Sequence, residues 1–176
     1  PVGRVWTEEE LRKMGEICLK HNVIIVSDEI HCDFTYEGHK HTVFPSLGEE
    51  FENNVVFCTA PSKTFNIAGL HVSNIFIPNP EIRKKFKSEL ESFGFSQPNV
   101  LGLTACQSVY SKGEEWYTNL KEYIAGNLDF AREYLAKNMP KIQLVEPDGT
   151  YLIWLDCEKL GLSVEELESF VEDKAK

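Results

Sequence analysis

Lys63 lies in Pro61-Ser62-Lys63-Thr64-Phe65-Asn66, directly after the apolar run Val55-Val56-Phe57-Cys58 and before Ala68-Gly69-Leu70. A lysine held at the end of a buried strand is partly desolvated. That disfavours its charged form and suits it to nucleophilic or Schiff-base chemistry. By position alone a solvated loop lysine is the commoner outcome. Asp28 is the second candidate, closing the run Val23-Ile24-Ile25-Val26-Ser27. A carboxylate at the end of such a run is poorly solvated unless a cation meets it; its alternative role is to cap a turn or helix.

Pyridoxal 5'-phosphate supplies a cation of the right kind, because its protonated ring nitrogen needs a buried acid to stay an electron sink. His31, three residues after Asp28, reaches the same site if the chain turns helical there, and offers a hydrogen bond to a cofactor oxygen. Glu29 faces the other way in a continuing strand and reads as structural. His21, His39, His41 and His71 show no acid-paired or metal-ligand spacing, although His39 and His41 sit in a loop placed to border a pocket. No metal site is expected.

The elements that must position these residues are legible from local patterns. Thr7 followed by Glu8, Glu9 and Glu10 is a capping box, and it predicts a helix over residues 7–20 with Leu11, Met14, Ile17 and Cys18 as its apolar stripe. Val23 to Val26 reads as a strand buried on both faces, as parallel sheets demand. Residues 54–58 and 72–77 read as two more strands. Helical patterns follow at 80–93, 99–112 and 113–138, then strands at 142–145 and 150–155 around Pro147-Asp148-Gly149, and Ser163 caps a last helix. Short buried strands with helical connections indicate an α/β sheet, whose ligands bind beyond the carboxyl ends of the strands. Two parts are expected, a larger one over residues 1–139 and the beginning of a smaller α+β domain over 140–176.

The 176 residues carry a formal net charge of −10, which argues against a phosphate-tracking surface and so against nucleic acid as a partner. Five cysteines at 18, 32, 58, 106 and 157 contain no C-x-x-C pair, so free thiols in a reducing compartment are expected. No apolar run approaches the roughly 20 residues that span a bilayer, and no signal-peptide pattern is visible; a cytoplasmic protein without membrane association is the expectation. The chain opens on Pro1-Val2-Gly3-Arg4 without a methionine and closes on a newly begun helix. It therefore reads as an internal fragment.

Val26-Ser27-Asp28-Glu29-Ile30-His31 followed by Ala60-Pro61-Ser62-Lys63-Thr64-Phe65-Asn66 resembles the class I/II aminotransferase family of fold-type I pyridoxal-phosphate enzymes. Within that family the sequence is most similar to the cystathionine β-lyase-like carbon-sulfur lyases. Pro1-Val2-Gly3-Arg4 looks like the tail of the family's Asn-Pro-x-Gly loop, and Gly149-Thr150-Tyr151-Leu152-Ile153-Trp154 looks like the strand after its interdomain helices. The resemblance implies the large cofactor-binding domain of the family, mostly parallel sheet flanked by helices, plus the start of the small domain.

It further implies that Lys63 carries the cofactor as a Schiff base and shuttles the proton, that Asp28 meets the pyridine nitrogen, and that Ser62 contacts the phosphate. His31 stands where many aminotransferases have a tyrosine bonding the phenolic oxygen, a replacement similar to the lyase subgroup. The implied activity is α,β-elimination of a cystathionine- or cysteine-type amino acid, with transamination as the alternative and a non-catalytic regulatory module as the third reading. A homodimer is implied, because the family builds its site at a dimer interface. Ala60 and His71 stand where many members have a phosphate-binding serine and arginine. The family's cofactor-contacting asparagine, stacking aromatic and phosphate turn fall before Pro1 and its substrate-carboxylate arginine beyond Lys176, so this stretch alone is not expected to be a competent enzyme.

Overall fold

The computed structural model describes residues 2–95 and 97–174. The first helix, α1 (Glu8–Lys20), starts as its sequence dictates: the Thr7 hydroxyl accepts from the Glu10 N–H at 3.3 Å and the Glu10 carboxylate accepts from the Thr7 N–H at 3.0 Å. The buried face differs from the expected stripe. Leu11 and Gly15 are buried, whereas Met14 and Ile17 are 39% and 53% exposed. Gly15 explains the roll of the helix, because a Cβ there would lie 2.5 Å from the Phe51 ring. The aromatic ring thus seats directly on the backbone of α1, with Cys18 and Leu19 packed alongside.

Phe51 belongs to the short α2 (Glu49–Glu52), preceded by a 3-10 turn, Phe44–Leu47. Phe44 and Phe51 meet edge to face at 5.8 Å and are each 1% exposed. Together with Leu11, Ile25, Leu47 and the fully buried Val55 they form the core; each such burial contributes about 1.5–3 kcal/mol.

The first strand, β1, is Ile25–Asp28 and not residues 23–26. The reason is local: the Val23 N–H closes the end of α1 on the Cys18 carbonyl at 2.9 Å, and the Val23 carbonyl accepts from the Asn54 amide at 2.6 Å. Nor is β1 buried on both faces. Ile25 turns into the core, while Val26, on the opposite face by strand alternation, is 67% exposed. β2 (Val55–Thr59) pairs with β1 in parallel, Ile25 opposite Val55 and Asp28 opposite Cys58. β3 (Asn74–Phe76) pairs antiparallel to β2, giving the order β1-β2-β3. Between β2 and β3 lies a single turn of helix, α3 (Pro61–Thr64).

Three longer helices follow: α4 (Pro80–Ser92), α5 (Val100–Lys112) and α6 (Glu114–Asn138). Asn79 and Asn99 cap the first two through their side-chain oxygens. β4 (Gln143–Val145) and β5 (Trp154–Asp156) make an antiparallel pair. β5 begins four residues later than predicted, because Gly149 first bridges to Thr35 in the loop after β1. Ser163 and Glu166 form the expected capping box of α7 (Val164–Ser169). Among the described residues no helix is long and apolar enough to cross a membrane.

Candidate functional site

The parallel register of β1 and β2 sets the site, since it brings the carboxyl ends of both strands to one edge of the sheet. Asp28 is the last residue of β1. Lys63 lies four residues past the end of β2, in the middle of α3, with Pro61 as the first residue of that turn. Lys63 and Ser62 are half-buried, in keeping with partial desolvation. Asp28 is exposed, which corrects the expectation of a poorly solvated carboxylate; it shares the outward face of β1 with Val26. Its Oδ1 accepts from the Ile30 N–H at 3.4 Å, a loose turn cap. Among the described residues, no ion pair engages Lys63 or Asp28.

His31 joins the two. The chain turns after Asp28, with the Cys32 N–H on the Glu29 carbonyl at 3.0 Å and the Phe34 N–H on the His31 carbonyl at 3.1 Å. The imidazole is half-buried, and its pKa is lowered first by that burial and then by the positive charge of Lys63, against the opposing pull of Asp28. Lys63 and Asp28 therefore both lie within electrostatic range of His31, which stays neutral near pH 7. A cavity of about 670 Å³ opens beside β1, with Arg4, Trp6, Val26, Asp28, His31 and Thr150 in its wall. Ser62 and Lys63 sit on the adjoining turn, outside that wall.

Several supports of the site have no signal in local sequence. Thr64, 2% exposed, donates its hydroxyl to Asp33 Oδ2 at 2.6 Å. The Tyr117 hydroxyl, from α6, donates to the Asp33 carbonyl. Phe65 lies between Tyr110 at 6.0 Å and Trp116 at 5.7 Å. The lysine turn is thus clamped on one side to the loop that carries His31 and on the other to the long helices. Cys32, beside Asp33, has its thiol pushed up to about 12 by burial and by the charges of Asp33 and Glu29; it is a protonated, inert thiol near neutrality.

Glu29 is structural, as its strand position implies. It is 6% exposed and accepts from the Ser27 hydroxyl and the Phe44 N–H, both at 2.9 Å, and from His41. His41 and His39 are acid-paired after all, the latter 3.4 Å from Asp148. Spacing missed both, because the Glu29 and Asp148 partners are 12 and 109 residues away in the chain. Ala60 is buried and His71 exposed in a left-handed conformation, φ 51°.

Comparison with known proteins places the fold. The chain is 47% identical over 176 residues to the cystathionine beta-lyase PatB of Bacillus subtilis, covering 100% of this chain and 46% of that protein. The crystal structure of cystalysin from Treponema denticola, which contains a pyridoxal 5'-phosphate cofactor, superposes with a TM-score of 0.95 at 38% identity, over 99% of this chain and 44% of that one. A pyridoxal-phosphate-bound C-S lyase from Staphylococcus hominis matches with a TM-score of 0.85 at 32% identity, over 97% and 44% of the two chains. The chain thus spans a little under half the length of these relatives. The family description Aminotransferase class I and II matches residues 1–174, and with the lysine turn and the aspartate ending adjacent parallel strands, the chain belongs to the class I and II aminotransferase family.

Proposed function

We propose that this chain carries the cofactor-holding lysine of a pyridoxal-phosphate-dependent carbon-sulfur β-lyase. The observation that carries the reading is the pairing of β1 with β2, which delivers Asp28 and the Lys63 turn to one sheet edge with His31 in range of both. The donor set fits the cofactor: an amine and a carboxylate that no ion pair engages among the described residues, an imidazole and a hydroxyl. When bound, the cofactor supplies an electron-withdrawing ring that lowers the cost of negative charge at the substrate α-carbon.

The residues divide the remaining work. Lys63 Nζ would hold the cofactor covalently and, once displaced by the substrate amine, take the α-proton as general base. The Asp28 carboxylate would keep the ring nitrogen protonated; it is solvated here and would lose water when covered by the ring. Ser62 would give its hydroxyl to the phosphate, while Ala60 has none to offer. His31 would bond the phenolic oxygen. The β-thiolate would then leave as the thiol, taking the proton held at Lys63 Nζ, and water would convert the remaining unsaturated amine to pyruvate and ammonia. The substrate class is a cystathionine- or cysteine-type amino acid, supported by the lyase names of the relatives at 47% and 32% identity.

We further propose a homodimer, a cytoplasmic location, and a division of the chain into a larger part over residues 1–139 and the beginning of a smaller domain over 140–176. The decisive assay incubates the full-length protein with cystathionine. Pyruvate and thiol in equal amounts are expected; glutamate formed from 2-oxoglutarate without pyruvate overturns the lyase reading in favour of transamination, and neither product favours a regulatory module.

A further inference from the structure

We propose that Thr150 is a positioning residue for His31: its hydroxyl donates to Nδ1 and so holds the ring proton on Nε2, the edge left to face an acceptor. Thr150 Oγ1 and His31 Nδ1 are 3.0 Å apart across 119 residues of sequence. A neutral imidazole has one donor and one acceptor nitrogen, and the partner of one fixes the proton on the other. Among the described residues His31 is the partner of the Thr150 hydroxyl; with that hydroxyl as donor, Nδ1 is the acceptor and the ring proton lies on Nε2.

The backbone shows that Thr150 is held there at a cost. Its φ is +67°, a left-handed conformation that a β-branched residue adopts only when its surroundings over-determine it. They do so here. The Thr150 N–H donates to the Phe34 carbonyl at 2.8 Å, and the Gly149 and Asp148 N–H groups both donate to the Gly3 carbonyl, at 2.9 and 2.8 Å. Asp148 also accepts at its carbonyl from the Tyr36 N–H at 2.9 Å and at its carboxylate from the Val5 N–H at 3.1 Å. Close backbone approach completes the hold, since a Cβ on Gly149 would lie 2.4 Å from the Phe34 carbonyl oxygen. Tyr151, the next residue, covers the imidazole with ring centroids 5.3 Å apart. A strained residue, pinned by the segments around Gly3 and Phe34, thus places one hydroxyl on one nitrogen of a candidate site residue.

The consequence for cofactor binding rests on the proposed function: with Nε2 protonated, His31 would be able to donate a hydrogen bond to a phenolic oxygen. The hydrogen bond itself does not rest on it. The test is nitrogen NMR of the protein with labelled histidine and no cofactor, His31 being assigned with His31→Gln. Wild type and Thr150→Ser are expected to show a single neutral tautomer protonated at Nε2. Thr150→Val and Thr150→Gly are expected to lose it, their two ring-nitrogen shifts moving toward each other as the tautomers mix.

Thr150→Gly separates positioning from folding, because glycine relieves the positive φ and its urea midpoint is expected not to fall. A purely structural Thr150 would leave the His31 tautomer untouched in that variant. A proton on Nδ1 in wild type, or a wild-type pattern in folded Thr150→Gly, overturns the proposal. If Thr150→Val does not fold, the serine and glycine variants decide. An absence of lyase activity would overturn the functional reading and leave this result standing.

Discussion

Replacing Thr64 with valine removes one hydroxyl from a side chain that is 2% exposed and leaves the shape of the residue nearly unchanged. The hydroxyl donates to an Asp33 carboxylate oxygen at 2.6 Å. Hydrogen bonds to charged groups contribute about 1.5–3 kcal/mol, and the carboxylate oxygen left behind would face a methyl group where water enters poorly. A loss of about 2 kcal/mol is expected from Thr64→Val, read as a lower urea midpoint with unchanged slope. For a chain of this size that corresponds to a Tm lower by about 4–8 °C. Thr64→Ser keeps the donor and should lose less than about 1 kcal/mol. Combining Thr64→Val with Asp33→Asn should cost clearly less than the sum of the two changes, because they share one bond. A Thr64→Val loss below about 0.5 kcal/mol, or strict additivity in the pair, would refute the clamp on the lysine turn.

Gly15→Ala sets two effects against each other: alanine favours the middle of α1 by about 1 kcal/mol, but its Cβ would lie 2.5 Å from the Phe51 ring in the core. Overpacking of that kind costs about 1–3 kcal/mol, so urea denaturation should show a net loss, and a gain would contradict the packing. Cys32, with its thiol pushed up to about 12, should stay unmodified by iodoacetamide in the native protein near neutrality and react on unfolding, as mass spectrometry of the alkylated peptides will show. His31 has a folded pKa below its ordinary value, so on acidification the unfolded chain takes the proton first. Its contribution is full above the ordinary histidine range and is lost as pH falls through that range toward the folded value. Urea midpoints measured at about pH 7.5 and about pH 5 should therefore converge in His31→Gln relative to wild type.

What the sequence revealed followed from locality. Thr7 with Glu10 and the cap at Ser163 are start signals contained within one helical turn, and the structure uses both. The apolar runs before Asp28 and Lys63 marked the two parallel strands for the same reason. Pairings that the tertiary fold creates were invisible: Thr64 with Asp33, His41 with Glu29, and Thr150 with His31 across 119 residues. The roll of α1 onto Phe51 was hidden too, because the apolar stripe cannot show that a glycine will accept an aromatic ring. Val26 was misjudged on burial because composition reports what a face would tolerate, whereas exposure depends on what covers it.

Everything proposed for the site passes through Lys63, and the most direct measurement is to treat the protein with pyridoxal 5'-phosphate, reduce with borohydride, and map the modified peptide by mass spectrometry. Modification at Lys63, abolished in Lys63→Ala with the fold intact, is the expected result. Modification at another lysine, with equal yield in Lys63→Ala, contradicts it.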